Sequence, residues 1–154
     1  MIADLDEAVR KAAGHAATIP AMHALRDWLL TKPGGSARLA GLLQDRSLSD
    51  ALTARMVHAL ELAGRQIPEG QGALADILKA PPGSYPPGVL MQAAVAAGGT
   101  GRLLSPELLP ALKAAAAGEN PGEGFLLNDA ALYAIGSLAR DNAELRPDLV
   151  NSLS

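Results

Sequence analysis

The chain has no cysteine, which excludes both a disulfide framework and a thiolate metal site. Large rings are nearly missing: one Trp, one Phe and two Tyr serve 154 residues. With 49% apolar residues and only 3% aromatic, the interior must be built from Ala, Leu, Val and Ile. That composition favours helices that approach closely through small side chains. There is no basic run, since 13 Lys and Arg are scattered from Arg10 to Arg146 against 16 Asp and Glu, for a net charge of −3. Phosphate neutralisation supplies most of a nucleic-acid binder's affinity and leaves a basic stripe in its sequence, so no nucleic-acid partner is expected. Long apolar runs are also missing. Gly, Pro or charge interrupts each of them well short of a membrane span, and Met1-Ile2-Ala3-Asp4-Leu5-Asp6-Glu7 is acidic where a signal peptide is basic. The expectation is a cytoplasmic protein with a single domain over 1–154, a length sufficient to bury a core.

What is present is helical periodicity, punctuated by Pro, Gly and capping residues. Asp4 with Glu7 reads as a capping box opening a helix to about Ala17. Thr18, with Pro20 in the first turn, opens a second helix to Lys32, ended by Pro33-Gly34-Gly35. Further helices are predicted over 36–44, from Ser47 or Ser49 to Gly64, over 72–79 and over 88–97. Ser105-Pro106-Glu107 opens another to about Gly118, Asn128 caps one to Arg140, and Pro147 opens the last. Residues 81–87, rich in proline, read as an extended loop, and 119–124 as another. No segment alternates with period two, so the fold class is all-α, with about nine helices and no strands.

Four helical hairpins superimpose at offsets of 35, 35 and 40 residues. His23, His58, Ala93 and Tyr133 align, followed by Ala24, Ala59, Ala94 and Ala134, then Leu25, Leu60, Val95 and Ile135. In the second helices Leu39, Leu74, Leu109 and Leu149 fall in register, with Leu42, Ile77 and Leu112 three residues on. Ser152 breaks that second column, and the five extra residues of the last interval fall at 120–124. One hairpin of two amphipathic helices cannot cover its own apolar face and must stack on the next, which such a period expresses.

On these columns, and on the segment Asp129-Ala130-Ala131-Leu132-Tyr133-Ala134-Ile135-Gly136-Ser137-Leu138-Ala139-Arg140, the chain resembles the HEAT/armadillo superfamily over about residues 18–154. The tetratricopeptide Trp-x-x-Leu-Gly and the ankyrin Thr-Pro-Leu-His do not occur. The resemblance implies a right-handed α-solenoid of about four hairpins that serves as a non-enzymatic scaffold for a protein or peptide partner. Ile135-Gly136-Ser137-Leu138 is also similar to a segment in the helical domain of vitellogenin-type lipid-transfer proteins, which implies a lipid-binding alternative. HEAT-like DNA glycosylases supply the enzyme alternative, for which Asp27 beside Trp28 is the one candidate pair. The Pro-rich loop and the lack of an Asp and Arg ladder depart from HEAT norms.

Catalytic and cofactor signals are thin. There is no Gly-x-Ser-x-Gly elbow, and Gly98-Gly99-Thr100-Gly101 lacks the Lys-Ser/Thr of a P-loop and follows a helix rather than a strand. His15, His23 and His58 are read as residues tiling helix faces; no metal and no cofactor is expected. Tyr85 and Phe125, in or beside Pro/Gly loops, are the candidate partner-binding residues, because loop aromatics are not obliged to enter a helical core. The competing reading has each ring fold back over the gap its own loop leaves. Residues 2–17 read as the second helix of an incomplete hairpin, and the chain stops inside a helix, so a homodimer or a longer parent array is expected.

Overall fold

A computed structural model describes residues 19–48, 50–81, 83–117, 124–145 and Pro147. Seven α-helices and one short 3-10 turn occur among them, and no strand. They are α1 (Ile19–Thr31), α2 (Gly35–Leu42), α3 (Asp50–Gly64), α4 (Pro68–Lys79), α5 (Pro87–Gly98), α6 (Leu108–Ala117) and α7 (Gly124–Asp141), followed by the turn Ala143–Leu145. The expected helix over 4–17, the one beyond Pro147, and the positions of His15, Leu149 and Ser152 lie outside the described residues.

Proline and glycine set the boundaries much as their chemistry requires. α4 and α5 both begin on a proline, which costs no hydrogen bond in a first turn because its missing N–H has no helical partner there. Pro68 therefore starts α4 four residues before the expected Gly72. Gly34 precedes α2 with a φ of 75°, a left-handed conformation that allows the chain to turn sharply after Pro33. The Ser105-Pro106-Glu107 signal makes a turn, not helix: the Glu107 N–H reaches Ser105 Oγ at 3.4 Å and α6 begins one residue later. Asn128 stands inside α7, which starts at Gly124.

Helix contacts sort the elements into two rows. α1, α3, α5 and α7 each pack on the next in that order, and α2, α4 and α6 do the same beside them. α4 packs on both α3 and α5, and α6 on α7, which joins the rows. The core between them is made of Leu25, Leu39, Met56, Leu60, Leu74, Ile77, Leu112, Ile135 and Leu138, filled out by many buried alanines. Small residues permit close approach. A Cβ on Gly98 of α5 would stand 2.7 Å from the Ala134 Cα of α7, so these two backbones touch.

Two expected columns change partners in α5 and α6. Leu25, Leu60 and Ile135 are buried, whereas Val95 is 48% exposed while Ala94, Ala96 and Ala97 around it are buried. Leu39 and Leu74 are fully buried but Leu109 only partly, while Leu108 and Leu112 face the core. Other columns hold: Ala59, Ala94 and Ala134 are all buried, as are Ile77 and Leu112.

Candidate interaction surface

Among the described residues, the exposed large apolar side chains are Val95 on α5 and Leu132 and Tyr133 on α7, the last two at 40% and 66% exposure. Beside Val95 runs a shallow cleft of about 240 Å³, walled by Ala54, Val57, His58 and Glu61 of α3 and by Met91, Gln92, Val95 and Ala96 of α5. A second cleft of the same volume lies nearer the starts of the two helices, between Asp45, Arg46, Asp50 and Thr53 on one side and Pro86, Gly88 and Val89 on the other. Gln92 borders both. Its Oε1 is buried without a hydrogen-bond partner among the described residues.

Farther along the same seam, polar contacts close it. Arg65 Nη2 donates to Glu61 Oε2 at 2.7 Å and its Nε to the Gly99 carbonyl at 3.0 Å. His58 Nδ1 stands 3.8 Å from Glu61 Oε1. The Glu61 carboxylate is thus engaged by Arg65 and half-screened by α5, an arrangement that suits packing rather than proton transfer.

Two buried amides fasten the connection between α5 and α6. Gln71 Nε2 donates to the carbonyls of Gly64 and Arg102 at 3.0 and 2.9 Å, while its Oε1 accepts the N–H groups of Leu104 and Ser105, each at 2.9 Å. Every hydrogen-bonding site of that amide is used. Asn142 does the equivalent work from the end of α7: Nδ2 donates to the Gly101 and Leu138 carbonyls, and Oδ1 accepts the Leu103 N–H at 2.9 Å. Sequence reasoning passed over both residues. The signal was present, because Gln71 lies three residues before Leu74 and Asn142 four after Leu138, so each is a polar residue on a core-facing stripe.

The expected site residues divide. Tyr85 is buried, at 7% exposure, with its ring among the core side chains. It closes the gap beneath its own loop and presents no free face to a partner. Burial, and after it the negative charge of Asp76, pushes the Tyr85 phenol above its ordinary range, against a hydrogen bond with Gln44 that lowers it. Phe125 stands in the first turn of α7, and its side chain lies outside the described residues. The structure does not bring Tyr85 to the exposed face of Leu132 and Tyr133.

Other candidates resolve into structure. His23 and His58 are both exposed, and no group of three or more potential metal-binding side chains occurs among the described residues. In the glycine-rich turn the N–H groups of Gly99 and Thr100 donate back to the Ala96 and Ala97 carbonyls, as does the Thr100 hydroxyl to Ala97. No cradle of outward N–H groups is formed there, which a phosphate would need. Asp27 pairs with its neighbour Arg26 at 2.8 Å, and Trp28 packs its ring against Gly35. No described helix is long and apolar enough to cross a membrane.

No protein-family model matches the chain, and neither a curated protein nor a solved structure matches it significantly.

Proposed function

We propose that this chain is a non-enzymatic interaction scaffold of the HEAT/armadillo kind, an α-solenoid that holds a protein or peptide partner on the outer face of its first helix row. The two-row order of helix contacts supports the solenoid reading, since each hairpin lies against the next. The observation that carries the function is the set of large apolar side chains exposed among the described residues, Val95, Leu132 and Tyr133. Exposed apolar groups mark contact surfaces, and a tyrosine among them supplies the large amphipathic area that binding anchors use. Each cleft on this face holds about 240 Å³, below the roughly 300–1,000 Å³ usual for small-molecule pockets. A surface that takes one or two side chains of a larger partner fits those dimensions.

The test compares faces. Tagged chains carrying Val95→Glu, Leu132→Glu or Tyr133→Ala are used to capture partners beside the unaltered chain and beside an Asp76→Ala control on the second row, with helicity checked by circular dichroism. Loss of one and the same captured protein by all three first-row variants, at unchanged helicity, supports the scaffold. Equal capture by all five chains overturns it.

A further inference from the structure

We propose that two copies of this chain pair antiparallel through the exposed face of α7, about a two-fold axis midway between Tyr133 and Gly136, a pairing that rests on reading this face as an interaction surface and names its occupant there. From residue 127 to residue 140 the exposed positions of α7 are Asp129, Leu132, Tyr133, Gly136 and Arg140. Ala131, Ala134, Ile135 and Leu138, on the other side of the helix, are buried. At about 100° per residue the exposed positions fall in one stripe roughly 100° wide. The stripe has a carboxylate near one end, a guanidinium in the last turn, and apolar or small residues between them.

Charge and shape together select a second copy. An axis midway between Tyr133 and Gly136 is also midway between Asp129 and Arg140, so antiparallel pairing sets each Asp129 level with the partner's Arg140, twice over. Parallel pairing would set like charges against each other. A face whose pattern reverses into itself is what a closed two-fold contact requires. Gly136 supplies the shape. It stands inside α7, where glycine is a poor helix former, yet a Cβ there would meet no atom of the described residues within 4 Å. Packing within the chain therefore does not call for its missing side chain, unlike that of Gly98, whose Cβ would collide with Ala134. Next to the proposed axis, the same vacancy lets two helix backbones approach. Leu132 and Tyr133 lie one turn before Gly136 on its two sides, so the two Tyr133 rings fall on one flank of the crossing and the two Leu132 side chains on the other.

One helix face makes a small interface, so dissociation constants on the order of tens of micromolar are expected. Sedimentation equilibrium of the purified chain, from about 1 to 500 μM, should show monomer passing to dimer. Gly136→Leu blocks the approach of the backbones and should weaken pairing about tenfold or more, while the melting temperature of the dilute chain holds or rises because the position is open. Asp129→Lys and Arg140→Glu each turn both ion pairs into like-charge contacts, and each alone should weaken pairing about tenfold. Mixed together, those two variants should form a heterodimer as tight as the unaltered dimer, since every contact across the axis again joins opposite charges. A mass that stays monomeric throughout, a dimer that Gly136→Leu or the single charge variants leave unchanged, or a mixture that does not associate would overturn the pairing. A chain that stays monomeric yet captures one protein through Leu132 and Tyr133 overturns it too and leaves the scaffold standing, so the two readings fail separately.

Discussion

The seam between α5 and α7 and the seam between α3 and α5 are made from similar materials, alanine, valine and leucine on neighbouring helices, yet they close differently. At the first, Gly98 brings the backbones into contact at Ala134. At the second, close approach at the helix ends is made by Gly64 against Thr100 and Gly99 against Glu61, and two shallow clefts bordered by Gln92 run along its outer side. The lesson is that apolar content alone does not determine how tightly two helices meet. Glycine placement decides where backbones may touch, and buried amides decide which approach is held.

The sharpest way to break this comparison is to remove the Gln71 amide. Gln71→Leu keeps volume and apolar packing but strands the N–H groups of Leu104 and Ser105 and the carbonyls of Gly64 and Arg102. Each buried group left unmade costs roughly 1–3 kcal/mol, part of it recovered by water. The expected loss in urea denaturation is about 3 kcal/mol. Arg46→Ala, which cuts the exposed bond to Gly83 at the other edge, should cost under about 1 kcal/mol. Similar costs for the two would mean that the edges are fastened alike, and the contrast would be lost.

A second pair of substitutions tests the seams themselves. Gly98→Ala adds one carbon where the Ala134 Cα is 2.7 Å away, and overpacking of that kind costs about 1–3 kcal/mol even though alanine is the better helix former. Ala54→Leu adds three carbons beside an open cleft and should be neutral or stabilising by up to about 1 kcal/mol, as cavity filling often is. Melting temperatures decide it. A destabilising Ala54→Leu would show that the cleft is not available space.

How much of this was legible in advance follows the physics of each signal. Helix positions were readable because Pro33, Gly34 and the apolar spacing act locally, within a turn or two, although Pro87, read as loop, is the first residue of α5. Leu39, Leu60, Leu74 and Ile135 were readable as core because burial at helical spacing repeats. Val95 was misplaced because a fixed offset carries a column over from its neighbours, while the side of α5 that is covered depends on how the two rows pack around it. Tyr85 looked available because loop aromatics are often exposed, but whether a ring folds inward depends on the space under the loop, which involves Gln44 and Asp76 from two other elements. Gln71 went unnoticed for the same kind of reason, since its four partners come from segments on both sides of α5. The exposed Leu132 and Tyr133 were placed correctly on a helix, but which side of that helix is free is a property of the packed rows.

The smallest effect isolates Tyr85 in the loop before α5. Burial, then the charge of Asp76, holds its phenol above the ordinary value near 10 in the folded chain. A group whose folded pKa is raised contributes stability that is fully present below the unfolded pKa. That contribution fades as pH rises from there through the folded pKa, because the unfolded chain gives up its proton first. Tyr85→Phe has no proton to lose and forfeits the Gln44 hydrogen bond, so near neutral pH it should be less stable than the unaltered chain by about 1 kcal/mol. Above roughly pH 10 the gap should shrink, since only the unaltered chain must keep a phenol protonated to stay folded. Denaturation of the two chains across that window, compared with each other so that other titrating groups cancel, reads the effect directly. A gap that stays constant through pH 11 would show that the ring is as hydrated folded as unfolded, and Tyr85 would no longer count as the seal beneath its loop.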